Sequence, residues 1–315
     1  VAGRDGIDIF MLHPKDRVSD VQRRQMTTMR APNVHNIAIE GSFDDAQAMV
    51  KRMFGDESMT SRFNIGAVNS INWARLMAQV VYYFACGLQL GAPHRQIAFS
   101  VPTGNFGDVF AGYVAAKMGL PVAQLIVATN VNDILHRALS DGDYSTVTVT
   151  PTAAPSMDIQ VSSNFERLLF DCGGRDGVAL AEQMRGFEAS KAMQLTNAQR
   201  DGAAAILTSA RADAGEISGA LRWAYEHAGQ VIDPHSAIGL HAALNSDMDS
   251  AIPIVTLATA HPAKFPDAVE RAIGIRPALP ARVGDLFARE EAYAELPGEY
   301  EAVRAFVEER AIPKD

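Results

Sequence analysis

Apolar residues recur along this chain in two rhythms. Short runs, Ile7–Pro14, Val34–Glu40, Phe63–Val68, Ile97–Val101, Val122–Thr129 and Pro253–Thr259, are too brief for helices and read as strands. Between them lie longer stretches with helical spacing: Val18–Met29, Ser42–Met53, Trp73–Cys86, Val109–Met118, a start at Asn132–Ala138, and Ala214–Ala228. Pro14 stops the first strand, and Ser19 or Asp20 suits a helix cap. Val231–Gly239 crosses into a further helix, and Ala260–Phe265 opens the last core helix. Strands alternating with helices predict an α/β protein with parallel sheets and helices on both faces.

The alternation breaks between about 140 and 205. Ser145–Pro151 is polar, threonine-rich and extended, and Ala179–Ala192 reads as a helical hairpin. This stretch is expected to be either an insertion folded over a site or ordinary surface elaboration. From Ala278 onward the chain is charged and is expected to pack as a peripheral helical tail. No repeat or low-complexity segment appears.

One junction carries chemistry. Ile97–Val101 is apolar throughout, as suits a strand covered on both faces. It runs into Pro102-Thr103-Gly104-Asn105-Phe106-Gly107-Asp108 and then into helical sequence. Gly104 and Gly107 let the backbone turn tightly and approach a ligand. A turn of this kind is either a structural βα connection or an anion site, since free N–H groups gather beside the positive end of a helix dipole. Its spacing is neither the Gly-x-Gly-x-x-Gly of dinucleotide folds nor the phosphate loop of nucleotide triphosphatases.

A second junction, Asn69-Ser70-Ile71-Asn72-Trp73-Ala74-Arg75, also follows a predicted strand and opens a helix. Amide, hydroxyl and guanidinium donors converge there, which suits a phosphate dianion or, more simply, a helix cap beside a surface arginine. Arg23 and Arg24 read as a solvated helix face.

Composition narrows the function. The 315 residues are enough for a large core and two lobes. A formal net charge of -9 with no basic run argues against nucleic acid. No apolar run is long enough to span a bilayer, and no secretory signal is visible. Cys86 and Cys172 make no disulfide framework and fit a reducing cytoplasm. No Cys/His cluster has metal-ligand spacing, so no metal is expected.

Ser100–Asp108 resembles the cofactor-phosphate loop of the threonine synthases, fold-type II pyridoxal-phosphate enzymes of tryptophan synthase β-like architecture. His13-Pro14-Lys15, Gln22–Met26, Glu40–Asp45, Asn69–Arg75, Ser156–Phe170 and Asp233–Ser236 resemble the same family, in its longer bacterial and fungal class. The resemblance covers nearly the whole chain. It implies a lyase of threonine biosynthesis that converts O-phospho-L-homoserine and water to L-threonine and phosphate. It assigns Gly104, Asn105, Phe106 and Gly107 to the phosphate of pyridoxal 5'-phosphate, and Thr259 to the pyridine nitrogen. It assigns Asn69, Ser70, Asn72 and Arg75 to the substrate phosphate. His235 is a further candidate, as a proton shuttle or a structural histidine, and Thr259 could equally cap a helix.

The lobes implied are residues 1–80, the remainder of a smaller α/β lobe; 81–277, the cofactor lobe with its insertion; and 278–315, the tail. The family's Schiff-base lysine lies in a Phe-Lys-Asp context ahead of a Ser-Gly-Asp-Thr-Gly loop. None of the six lysines here has that context, and the loop is absent. No catalytic residue is therefore assigned within the chain. The lysine is expected upstream of Val1, in an N-terminal segment of the same protein, and the 315 residues alone are expected to be inactive. The alternatives are a non-catalytic phospho-ligand binder of this family, or another fold-type II enzyme such as a threonine dehydratase. The Asn69–Arg75 motif argues against the latter.

Overall fold

The computed structural model describes residues 2–68 and 70–314, with backbone alone at 43 and 44. The chain forms two compact units, residues 1–66 with 278–315, and residues 67–277.

The first unit opens with β1 (Ile9–Pro14), α1 (Asp20–Thr27), β2 (Val34–Ile39), α2 (Phe43–Gly55) and α3 (Glu57–Arg62). β1 and β2 are parallel, with Ile9 opposite Val34 and Pro14 opposite Ile39. Ser19 caps α1 by accepting from the Gln22 N–H, and Ser42 and Asp45 form a reciprocal capping box on α2. The strand expected at Phe63–Val68 does not form. Phe63 ends α3 and donates its N–H to the Met59 carbonyl at 2.9 Å, and the residues after it run irregularly. Its ring is buried with Ile37, Ile39, Met49 and Met59.

The second unit contains, in order, α4 (Trp73–Gln89), β3 (Ile97–Pro102), α5 (Gly107–Lys117), β4 (Val122–Thr129), α6 (Ile134–Asp141), α7 (Phe165–Cys172), α8 (Gly177–Ser190), α9 (Asn197–Ala204), β5 (Leu207–Arg211), α10 (Ala214–Ala228), α11 (Pro234–Leu244), β6 (Ile254–Thr256) and α12 (Pro266–Ile273). Its sheet is parallel throughout, in the order β5-β4-β3-β6. One face carries Phe99, Val101, Leu125 and Val127 against α4, α5, α7 and α9; the other carries Ile126 and Ala128 against α10 and α11. Central β3 is buried along its whole length, which is why it reads as a continuous apolar run.

The stretch from 140 to 205 is a packed layer of this unit. Phe165, Leu168, Leu169, Phe187, Met193 and Leu195 join the main core, and the Tyr144 ring lies 5.1 Å from Phe165 and 5.0 Å from Phe187.

The chain then returns to the first unit with β7 (Ala294–Leu296), parallel to β2, and α13 (Tyr300–Arg310). Tyr300, Val303 and Val307 are buried among Ile37, Ile39 and Met59. Two expected boundaries therefore shift. The first unit ends at 66, not near 80, because Trp73–Gln89 packs on α5. The tail is not peripheral, because it supplies a strand and a core helix.

Candidate active site

The turn between β3 and α5 lies at the carboxyl ends of the parallel strands, where such sheets place ligands. Thr103 anchors its start, with its N–H on the Ala128 carbonyl at 2.8 Å and its hydroxyl on the Val101 carbonyl at 2.6 Å. Phe106 takes a left-handed conformation at the cap of α5 (φ 60°), and its ring is buried edge-on against Phe165 at 5.1 Å. Only glycine fits at 104, since a Cβ there would stand 2.8 Å from the Ser156 carbonyl oxygen.

The loop's carbonyls are turned inward. The Ser162 hydroxyl donates to the Gly104 carbonyl at 2.8 Å, and the Asn164 backbone and side-chain amides donate to the Asn105 carbonyl at 3.1 and 3.0 Å. The Ser163 hydroxyl holds the Asn105 side chain at 3.3 Å. By contrast, the N–H groups of residues 104–109 have no acceptor among the described residues. Successive unpaired donors at a helix N-terminus fit a phosphate dianion. The loop's bare amides thus fit a phosphate group, such as that of the cofactor expected there.

α4 runs alongside α5 in the same sense. Leu76 lies by Gly107, the Tyr83 ring by Gly112, and Leu120 by Gly87. Ser70 is immediately adjacent to the β3–α5 turn, with its Cβ 3.6 Å from where a Cβ on Gly107 would be. Asn72 is committed to structure: its side chain accepts from the Ala74 N–H at 2.9 Å and donates to the Ala67 carbonyl at 2.6 Å. Arg75 is exposed in the first turn and forms no ion pair among the described residues. Asn69 lies outside the described residues. Asp108, in the first turn of α5, receives the Tyr83 hydroxyl at 3.2 Å. Burial pushes its carboxyl up to about 6, against the Tyr83 hydrogen bond and the Arg75 charge, which pull it down.

On the far side of β3, α11 begins with Asp233 as its cap, and Gly239 lets the helix lie close against Pro102. The Ser100 hydroxyl donates to the Gly239 carbonyl at 2.6 Å. Asp233 is fully buried and pairs through Oδ2 with His235 Nδ1 at 2.7 Å, while the Ser236 hydroxyl donates to its Oδ1. Burial pushes the Asp233 carboxyl up, but the hydrogen bonds from His235 and Ser236 outweigh it, and the net direction is down. The His235 ring lies tilted against Phe265, 4.7 Å between centroids, and its Nε2 is buried with no partner among the described residues. Thr259 follows β6 with its residue exposed and its N–H on the Ser236 hydroxyl at 3.2 Å. It caps no helix; His261 Nδ1 does that, accepting from Ala263 at 3.1 Å.

Sequence reasoning missed a polar hub at the end of β4. Asp158 Oδ1 receives Asn130 Nδ2 at 2.7 Å, Asn132 Nδ2 at 3.0 Å and the Thr152 hydroxyl at 2.7 Å; Oδ2 receives the Thr152 N–H at 2.7 Å. Asn130, though placed where ligands bind, is thereby tied to the scaffold. No periodic signal marks such a cluster, because its members come from irregular segments. Among the described residues, no group of His, Cys, Asp or Glu could hold a metal ion, and no helix is long and apolar enough to cross a membrane.

A parallel α/β sheet whose strand–glycine turn–helix unit offers bare amides to a phosphate defines a phosphate-binding α/β protein. Residues 1–212 match the family described as pyridoxal-phosphate dependent enzyme, and residues 236–307 match that described as threonine synthase, C-terminal. The threonine synthase of Pseudomonas aeruginosa is 55% identical over 304 residues, 96% of this chain and 65% of its own. That of Corynebacterium glutamicum is 40% identical over 97% of this chain and 65% of its own. Among solved structures, the PLP-bound threonine synthase of Brucella melitensis superposes with a TM-score of 0.92 at 48% identity, covering 98% of this chain and 67% of that one. The yeast threonine synthase gives 0.89 at 37% identity over 98% of this chain and 66% of that one. The chain belongs to the threonine synthase family. It spans just under two thirds of the length of these curated relatives.

Proposed function

We propose that this chain carries the two phosphate subsites of a threonine synthase, which turns O-phospho-L-homoserine and water into L-threonine and phosphate. The observation that carries this reading is the pair of helix N-termini lying abreast, with Ser70 against Gly107. Two anion positions side by side suit a phosphorylated cofactor and a phosphorylated substrate.

Residues 104–107 would hold the phosphate of pyridoxal 5'-phosphate through backbone N–H groups, with the positive end of α5 behind them. Thr259 would face the pyridine nitrogen as a neutral hydroxyl partner. When bound, the cofactor supplies an electron sink for charge left on the substrate's carbon skeleton. Asn69, Ser70 and Arg75 would hold the substrate phosphate. Arg75 is exposed and forms no ion pair among the described residues, so its guanidinium stays available to a dianion. As the phosphate leaves, those donors stabilise its growing charge. Asn72 contributes by capping α4 and fixing the turn that presents Ser70.

Asp233 fixes a proton on His235 Nδ1 and leaves Nε2 as the basic atom, an arrangement suited to holding or passing a proton. The cofactor-linking lysine, together with the substrate-carboxylate loop, we place in an N-terminal segment of the protein outside these 315 residues. Cytoplasmic operation accords with the two unpaired cysteines, Cys86 and Cys172.

The direct test is Arg75→Gln in the cofactor-loaded protein. Turnover of O-phospho-L-homoserine should fall about a hundredfold in kcat/KM, as for the loss of one charge-stabilising donor. Cofactor absorbance should be unchanged. A variant within threefold of the parent would remove Arg75 from the substrate-phosphate pocket.

A further inference from the structure

Asn164 occupies a singular position in the second unit. It is completely buried just ahead of α7, and every polar atom of its side chain is engaged. Nδ2 donates to the Asn105 carbonyl at 3.0 Å and to the Ser70 carbonyl at 2.9 Å. Oδ1 accepts from Arg167 Nε at 3.0 Å, and Arg167 Nη2 donates to the Ile71 carbonyl at 2.8 Å. One amide thus grips both phosphate loops at once, the cofactor loop at residue 105 and the substrate loop at residue 70. Arg167 adds a second grip one residue along.

The glycine at 107 makes room for this. A Cβ there would stand 3.4 Å from Asn164 Nδ2 and 3.6 Å from the Ser70 Cβ. The hydrogen bonds also explain how the cofactor loop faces: with the Gly104 and Asn105 carbonyls held inward by Ser162 and Asn164, its N–H groups point away toward the ligand side. Neither Asn164 nor Arg167 was assigned to either phosphate.

We infer that Asn164 is a positioning residue that clips the two phosphate loops into a single register, with Arg167 locking the clip. The spacing between cofactor phosphate and substrate phosphate is then set by a side chain that touches neither. The inference rests on the assignment of the two loops to those two phosphates. A buried amide that satisfies two carbonyls from separate loops is costly to lose, since the Ser70 carbonyl is left unpaired and the Asn105 carbonyl keeps only the Asn164 backbone N–H.

The test uses the cofactor-loaded protein with inorganic phosphate as the probe of the second pocket, followed by calorimetry. Cofactor affinity is titrated separately. Asn164→Asp keeps the shape and the Arg167 contact but turns a double donor toward two carbonyls into an acceptor. At saturating cofactor, its phosphate Kd should rise about tenfold or more, and its cofactor Kd should rise as well. Arg167→Gln removes the Ile71 grip and the Nε bond to Asn164 Oδ1, and leaves both Asn164 Nδ2 bonds in place. It should weaken phosphate about threefold to tenfold and leave cofactor affinity within about twofold, which decides the matter even where Asn164→Asp folds poorly. Arg75→Gln serves as the control for the pocket itself. Weak phosphate binding in Arg75→Gln beside parent-like binding in the position-164 and position-167 variants overturns the clip alone. Parent-like binding in Arg75→Gln overturns the pocket assignment, and the clip falls with it.

Discussion

Asp108 places a carboxyl in the first turn of α5, three residues past Asn105, where burial pushes it up to about 6 from an ordinary 3.8. The sign of the consequence follows from proton counting. Between about pH 4 and 6 the folded protein binds the proton that the unfolded chain has released, so stability falls as pH rises through that window. Above it the cost is constant. Asp108→Asn retains an acceptor for the Tyr83 hydroxyl and removes the charge. It should stabilise the protein by about 1–3 kcal/mol at pH 8 and hardly at all at pH 4, read from urea midpoints at the two values. It should also tighten phosphate at the neighbouring loop at pH 8, because a like charge is gone. Identical pH profiles for parent and variant would show that Asp108 ionises as freely folded as unfolded.

Among the elements, α4 and α5 pack closely through Gly112. A Cβ at Gly112 would lie 2.6 Å from Tyr83 Cε1 and 2.9 Å from Leu125 Cδ2. Gly112→Ala improves helix propensity yet forces a fully buried ring aside, and overpacking of this kind costs about 1–3 kcal/mol. The expected result is a lower melting temperature with the same far-ultraviolet spectrum; an equal or higher one would mean that Tyr83 can shift freely. The elements also show what the chain discloses before it folds. β3 and β4 are legible because strands buried on both faces spell continuous apolar runs, and the two glycines of the turn announce the anion loop. β5 escapes notice: Thr208, Ser209 and Arg211 break the run, because a strand at the sheet's margin is half in water. Phe63–Val68 mimics a strand by its spacing, yet Phe63 is claimed by α3. At the candidate site, the Gly104–Gly107 and Asn69–Arg75 stretches carry recognisable spacing, whereas Ser162 and Asn164 bind backbone carbonyls from an aperiodic stretch, and their partners emerge only in three dimensions.

Across the whole molecule, the first unit is discontinuous: both ends of the chain build it, and the second unit is the continuous stretch between them. β1 and β2 alone would be a two-stranded parallel ribbon, too little for independent stability. Deleting residues 294–315 removes β7 and α13, and with them Tyr300, Val303 and Val307 from the core around Ile37 and Ile39. Hydrogen exchange should then lose protection in β1 and β2 while β3 and β4, which have their own core, keep it. Protection retained in β1 and β2 would show that the third strand is dispensable. The pairing of Ile37 with Ala294 also fixes an order of events during synthesis. At about 5–20 residues per second, β2 waits roughly 10–50 s on the ribosome for its partner strand to be translated. All of residues 67–277 emerge within that interval, so the second unit can be finished while β2 still lacks its β7 partner. Until Ala294–Leu296 is translated, Val34–Ile39 therefore keeps the backbone groups on that side without their partner strand.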